Sequence, residues 1–189
     1  VPSMILWGPP GSGKTTLAHV IARASTYYFA PISAVSAGVA DLRRLVDEAS
    51  ERRKLHQQRT ILFIDEIHRF NKNQQDAVLP YVEDGTVILI GATTENPSFE
   101  VVAPLLSRTR VYTLEALSTE DIVTLLRRAL ADEERGLGRS QIACADGVLE
   151  PIAVFANGDA RAAYNPLESA VSAAVPNAAG RRALTEELL

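Results

Sequence analysis

One segment constrains this chain more than any other: Gly8-Pro9-Pro10-Gly11-Ser12-Gly13-Lys14-Thr15. It spells G-x-x-x-x-G-K-[ST]. In that pattern glycines let successive backbone N–H groups converge, and the helix that follows adds the positive end of its dipole. A loop of this kind cradles phosphate oxygens, and it requires a strand before it and a helix after it. The flanks fit: residues 3–7 are an apolar run stopped by a Gly-Pro-Pro turn, and residues 14–24 read helical. The loop residues Pro9-Pro10-Gly11-Ser12-Gly13-Lys14-Thr15-Thr16 are the candidate nucleotide contacts. Lys14 is placed to reach the β- and γ-phosphates, and the Thr15 hydroxyl to hold Mg²⁺.

Further strands are expected at residues 27–32, 60–64, 86–90 and 111–114, with helices over 39–58 and 74–82 between them. In the first of these helices Val39, Leu42, Leu45, Val46, Ala49 and Leu55 recur near helical spacing with charges between them. Strands that alternate with helices imply an α/β fold, a five-stranded, mainly parallel sheet flanked by helices. From Ser118 the character changes. Ser118-Thr119-Glu120-Asp121 opens a helix, and helices are expected over 119–132, 146–156 and 160–175 with no strand among them. The domains are therefore expected to be 1–117, the nucleotide-binding α/β part, and 118–189, a small all-α lid. The chain enters its first strand almost at once and stops in what reads as the first turns of a helix, residues 184–189. It is thus expected to be a piece of a longer protein, with the lid truncated.

Composition sets outer limits. At 189 residues, 47% hydrophobic and 22% charged, the chain suits a packed core and lacks the profile of disorder. Its one cysteine, Cys144, excludes an internal disulfide and reads as a small buried apolar residue. No apolar run reaches the roughly 18 residues that a membrane span needs, and no basic then hydrophobic segment opens the chain. A soluble intracellular protein is expected. A net charge of −4 argues against wrapping a polyanion through the overall field, while leaving a local basic stripe open.

The remaining candidates sit where strands end. Asp65 follows Ile61-Leu62-Phe63-Ile64, which puts it at the carboxyl end of a strand, where open α/β sheets bind ligands and a carboxylate can hold Mg²⁺ through water. Glu66, next to it, is the candidate general base for a water. His68 reads as a packing or hydrogen-bonding residue. Thr93 and Thr94 end the fourth strand, from which a hydroxyl can contact the γ-phosphate or the attacking water. Arg108, in Ser107-Arg108-Thr109-Arg110, lies on a segment that does not readily turn back to its own loop and is a candidate donor to a neighbouring subunit. Arg161 opens a helix after Gly158-Asp159-Ala160, an unfavourable place for a cation and so a hint of function.

Four words of sequence carry a resemblance: Leu6-Trp7-Gly8-Pro9-Pro10-Gly11-Ser12-Gly13-Lys14-Thr15-Thr16, Ile64-Asp65-Glu66-Ile67-His68-Arg69-Phe70-Asn71-Lys72, Gly91-Ala92-Thr93-Thr94-Glu95-Asn96-Pro97-Ser98-Phe99-Glu100 and Leu105-Leu106-Ser107-Arg108. With them the chain resembles the AAA+ ATPases, a P-loop NTPase class, and within them the clamp-loader-like branch of the replication-associated recombination protein A (RarA, MgsA) and Werner-helicase-interacting protein family. The resemblance implies Thr94 as sensor 1, Arg108 as an arginine finger acting in trans, Arg161 as sensor 2, and ATP or ADP with Mg²⁺ as ligands. It implies a ring of neighbouring subunits, and DNA with single-stranded gaps or ends and single-strand-binding protein as partners. No membrane is involved, and the setting implied is the cytoplasm, at the bacterial nucleoid. The implied function is the ATP-hydrolysing core of a replication, recombination and repair maintenance factor at stalled or gapped forks. The family's adenine-enclosing N-terminal segment and its C-terminal oligomerisation region lie outside this sequence. The lid motif has Ala162 and Tyr164 where the family has arginine and leucine.

Two alternatives stand beside this. A RuvB-like Holliday-junction branch-migration ATPase shares Gly91-Ala92-Thr93-Thr94, but Phe70 and Asn71 favour the first reading. A nucleotide-gated loader or scaffold would use hydrolysis as a timer. Arg52-Arg53-Lys54 with Arg59, and Arg69 with Lys72, would face DNA in a ring's centre or, more ordinarily, form a solvated helix face.

Overall fold

A computed structural model describes residues 1–145, 147–176 and 182–185. Five strands form one sheet in the order β2-β3-β4-β1-β5: β1 (Met4–Trp7), β2 (Tyr28–Ser33), β3 (Thr60–Asp65), β4 (Val87–Thr93) and β5 (Arg110–Thr113). Every pairing in it is parallel. The three central strands are apolar almost throughout because both of their faces are covered. Alternation along β3 and β4 sends Ile61, Phe63, Ile88 and Ile90 to one face, where they meet Ala18 and Ala22 of α1 (Lys14–Ser25). It sends Leu62, Ile64 and Leu89 to the other, against Leu42 and Val46 of α2 (Val39–His56) and Val78 of α3 (Lys72–Glu83). Each fully buried Leu or Ile there contributes about 1.5–3 kcal/mol by transfer from water.

The chain leaves β3 through Glu66 and a 3-10 turn, Ile67–Arg69, and enters α3 through a reciprocal cap. Asn71 Oδ1 accepts from the Gln74 N–H at 3.0 Å, and Gln74 Oε1 accepts from the Asn71 N–H at 2.8 Å. Gln75, only 2% exposed, then fastens α3 to the segment after β4. Its amide donates to the carbonyls of Phe70 (3.0 Å) and Glu100 (2.9 Å) and accepts from the Val102 N–H (2.8 Å). That segment carries two one-turn helices, α4 (Pro97–Glu100) and α5 (Ala103–Leu106).

Residues group into two compact units: Val1–Gly8 with Gly13–Leu114, and Pro9–Ser12 with Glu115–Leu189. In the second, α6 (Thr119–Ala131), α7 (Glu150–Ala156) and α8 (Ala160–Ala173) enclose Ile122, Leu126, Ile152, Leu167 and Val171. An all-α lid was expected, and here the structure corrects the sequence. β6 (Ile142–Cys144) pairs in parallel with β7 (Arg182–Leu184), and Leu184 is buried in this unit's core. Leu184 therefore belongs to a strand and not to a new helix, and Thr185 after it is in no regular element; residues 186–189 of that expected helix lie outside the described residues. Strands of three residues are too short to show a period, and their partners are remote in sequence. Cys144 is half-buried at the end of β6, with its thiol 3.5 Å from the Ala145 carbonyl, and is not the core residue expected.

Candidate functional site

The strand order brings three of the predicted groups to one end of the sheet. β1 lies beside β4, with Trp7 opposite Thr93, and β4 lies beside β3, with Gly91 opposite Ile64. The phosphate loop, the Asp65-Glu66 pair and the Thr93-Thr94 pair thus all follow the carboxyl ends of adjacent parallel strands. Gly8 continues β1 by donating to the Thr93 carbonyl at 3.2 Å, and a Cβ at Gly8 would collide with the Leu114 carbonyl. Gly11 (φ 68°) and Gly13 (φ 88°) take left-handed backbone that glycine adopts without strain. At Gly11 a side chain would also run into the Asp159 carboxylate, both residues belonging to the second unit. Ser12 Oγ closes the turn by donating to the Pro9 carbonyl at 2.8 Å.

Gly13 caps α1, whose first turn carries no acidic residue to compete for its N–H groups. Lys14 Nζ donates to the Gly8 carbonyl at 2.8 Å, which curls the ammonium back over the loop. Thr15 is half-buried and Thr16 exposed. Asp65, half-buried, ends β3. A threonine hydroxyl and a carboxylate are hard oxygen donors of the kind Mg²⁺ takes in small number beside phosphates and waters. Among the described residues no cluster of three or more His, Cys, Asp or Glu could hold a metal by protein side chains alone. The donor set therefore fits Mg²⁺ bound together with a nucleotide.

Glu66 is a glutamate in left-handed backbone, φ 54° and ψ 48°. Such a residue costs about 1–3 kcal/mol and tends to occur at functional sites. The cause is local: the chain must turn at once from β3 into the 3-10 turn, whose first bond runs from the Arg69 N–H to the Glu66 carbonyl at 2.8 Å, while Ile67 is fully buried. The Glu66 carboxylate is 44% exposed and lies 3.8 Å from both His68 Nε2 and Arg69 Nε. Sequence reasoning gave His68 only a packing or hydrogen-bonding role, and its Nδ1 sits 3.0 Å from Thr93 Oγ1. Of the two threonines, Thr93 is the buried one, engaged with His68 and Glu95; Thr94 stands half-buried one residue past the strand.

Arg108 lies at the other end of the sheet. Its Nε pairs with the Glu83 carboxylate at the end of α3, and Nη1 donates to the Pro104 carbonyl and to Ser107 Oγ, both at 2.9 Å. Two residues on, Arg110 starts β5 opposite Met4, the first residue of β1, and its N–H donates to the Ser3 carbonyl at 3.0 Å. Arg108 thus precedes the strands' amino ends while the phosphate loop follows their carboxyl ends, at least a strand length of about 10 Å away. The Glu83 partner had no signal in the sequence. In the second unit, Arg161 is exposed in the first turn of α8, whose cap is Asp159 Oδ1 accepting from the N–H groups of Arg161 (2.8 Å) and Ala162 (3.2 Å).

Three arginines of the basic stretch have partners within the chain. Arg52 lies 3.5 Å above the Tyr28 ring and donates to Thr60 Oγ1 at 3.1 Å, Arg53 donates to the Gly85 carbonyl at 3.1 Å, and Arg59 lies 5.7 Å from the Tyr27 ring. No described helix is long and apolar enough to cross a membrane.

Comparison with known proteins places these features. The family model for ATPases associated with various cellular activities (AAA) matches residues 4–116. The Escherichia coli K12 protein named replication-associated recombination protein A is 54% identical over 187 residues, which is 99% of this chain and 42% of that protein. A Dictyostelium discoideum protein, ATPase WRNIP1, is 48% identical over 92% of the chain and 20% of its own length. The chain thus spans less than half the length of these relatives. Among solved structures, the Thermotoga maritima RuvB Holliday junction branch migration motor superposes with a TM-score of 0.78 at 26% identity, over all of this chain and 59% of that one.

Proposed function

Because the chain belongs to the AAA family of ATPases, we propose that it is the Mg²⁺-dependent ATP-hydrolysing core of a DNA replication, recombination and repair maintenance factor of the replication-associated recombination protein A type. The observation that carries the hydrolytic part is the adjacency of β1, β4 and β3, which gathers the phosphate loop, Thr93-Thr94 and Asp65-Glu66 at one end of the sheet. The identity of 54% to the bacterial relative supports the biological setting, and against it the 26% identity to RuvB makes branch migration the second reading.

In this reading the loop N–H groups and Lys14 bind the phosphates, Thr15 and Asp65 hold Mg²⁺, and the metal neutralises charge on the phosphate oxygens. Glu66 takes a proton from water as the water oxygen bonds to the γ-phosphorus. The bond from that phosphorus to the bridging oxygen breaks, and its electron pair leaves with ADP. Thr94 contacts the γ-phosphate or the water, and Arg161 keeps the sensor 2 role that the family resemblance implies. Arg108 acts on the site of a neighbouring subunit in a ring. DNA with single-stranded gaps or ends and single-strand-binding protein are the proposed partners, in the cytoplasm at the nucleoid. The test is ATP turnover by the intact protein with and without gapped or forked DNA. Stimulation by such DNA is expected. Stimulation by four-way junctions alone favours the RuvB-like reading, and no response to any DNA favours a nucleotide-timed loader or scaffold.

A further inference from the structure

One nearly buried side chain beside the site has no part in the mechanism above. His68 is 9% exposed and sits in the turn immediately after Glu66. Its two ring nitrogens face different partners: Nδ1 lies 3.0 Å from Thr93 Oγ1, and Nε2 lies 3.8 Å from Glu66 Oε2. The imidazole thus spans from the end of β4 to the carboxylate that follows β3. Strand order makes the reach short, since these strands are neighbours and Gly91, two residues before Thr93, pairs with Ile64.

The hydroxyl proton of Thr93 decides what this bridge does. Thr93 Oγ1 accepts from the Glu95 N–H at 2.9 Å, and its single proton has two acceptors within range, the Glu95 carbonyl at 3.2 Å and His68 Nδ1 at 3.0 Å. When the proton goes to Nδ1, neutral His68 carries its own proton on Nε2, aimed at the Glu66 carboxylate. When it goes to Glu95, His68 donates from Nδ1 and turns the Nε2 lone pair towards that carboxylate. Only the first arrangement makes His68 a donor to Glu66, and the part-exposed Glu66 side chain needs a small rotation to close the remaining gap. Arg69, the cation that also lies 3.8 Å away, is 64% exposed and holds the carboxylate weakly.

We propose that His68 is a positioning residue for hydrolysis. It orients the Glu66 carboxylate towards the attacking water and links that orientation, through Thr93, to the strand end that carries Thr94. The proposal rests on Glu66 being the general base.

The test is steady-state ATP turnover by the intact protein, with nucleotide affinity and melting temperature measured alongside. His68→Asn offers an amide near the position of Nδ1, and His68→Gln offers one near Nε2. His68→Asn and His68→Ala are expected to lower kcat about 10- to 100-fold, the order seen when a reacting group drifts by around 1 Å. Nucleotide affinity stays unchanged, and His68→Gln recovers most of the turnover. In a Glu66→Gln background, His68→Asn adds no further loss. Normal kcat in His68→Asn overturns the proposal, as does a loss in His68→Gln equal to that in His68→Asn, or a double variant in which the two losses multiply. Should His68→Ala fail to fold, the Gln and Asn variants still decide, because both keep a polar side chain of similar size. Full turnover by Glu66→Gln alone removes the base assignment itself and this proposal with it, an outcome separate from any result at His68.

Discussion

The two ends of the sheet hold their functional groups by different means. At the carboxyl end the backbone does most of the holding. Gly11, Gly13 and Glu66 sit at positive φ, α1 presents its first turn, and the Glu66 carboxylate lies 3.8 Å from both His68 and Arg69. At the amino end Arg108 is gripped through its side chain by Glu83, the Pro104 carbonyl and Ser107. The difference teaches what each group waits for. A carboxylate proposed to serve a nucleotide bound by its own chain stays part-exposed to meet water, with only His68 and Arg69 close by to trim its aim. An arginine proposed to serve a neighbouring copy has no ligand in its own chain, and its own side-chain partners aim it instead.

The comparison breaks most visibly at Arg108. Arg108→Ala is expected to lower turnover of the assembled protein by about 10³–10⁵ while leaving nucleotide binding intact. Mixing these subunits with Glu66→Gln subunits should return part of the activity, since one variant retains the base and the other the finger; absence of any rescue in ATPase assays would mean that the finger acts within its own chain. At the opposite end, Glu66→Gln should cost about 10²–10⁴ in kcat with nucleotide affinity preserved, checked by pairing turnover with equilibrium binding. Glu83→Gln separates aiming from stability. The pair is exposed by about two-fifths on each side, so its loss should change stability by no more than about 1 kcal/mol, yet turnover should fall. A shifted melting curve with normal turnover would make the grip merely structural. The smallest effect is expected at Asn71→Ala, about 1 kcal/mol of stability from a lost helix cap, read by denaturant unfolding.

Much of this was legible in the sequence because it is local. The phosphate loop dictates a strand before it and a helix after it, and the apolar runs ending at Asp65 and Thr93 mark buried strands by composition alone. Strand alternation with helices implied the parallel sheet, and the fold is of that kind. What stayed hidden depends on contacts between segments far apart in the chain. The β6–β7 pair joins residues 142–144 to 182–184, with too few residues in either strand to show a pattern. Thr93 and Thr94 are adjacent and chemically alike, and only packing makes the first the partner of His68. Nothing in the spacing of Glu83 and Arg108 announces their pairing, because α3 brings them together only after Gln75 has fastened it to the segment between β4 and β5.

The register that sets Met4 opposite Arg110 gives the first unit a head and a tail. If the arginine at one end completes a site at the other end of the next copy through a head-to-tail contact, unlike surfaces meet, and the contact repeats from copy to copy instead of ending at a pair. Each copy then finishes one neighbour's chemistry and has its own finished by a different one. An open row always leaves one copy at its edge with an unfinished site. The number of working sites equals the number of copies only once the row closes on itself.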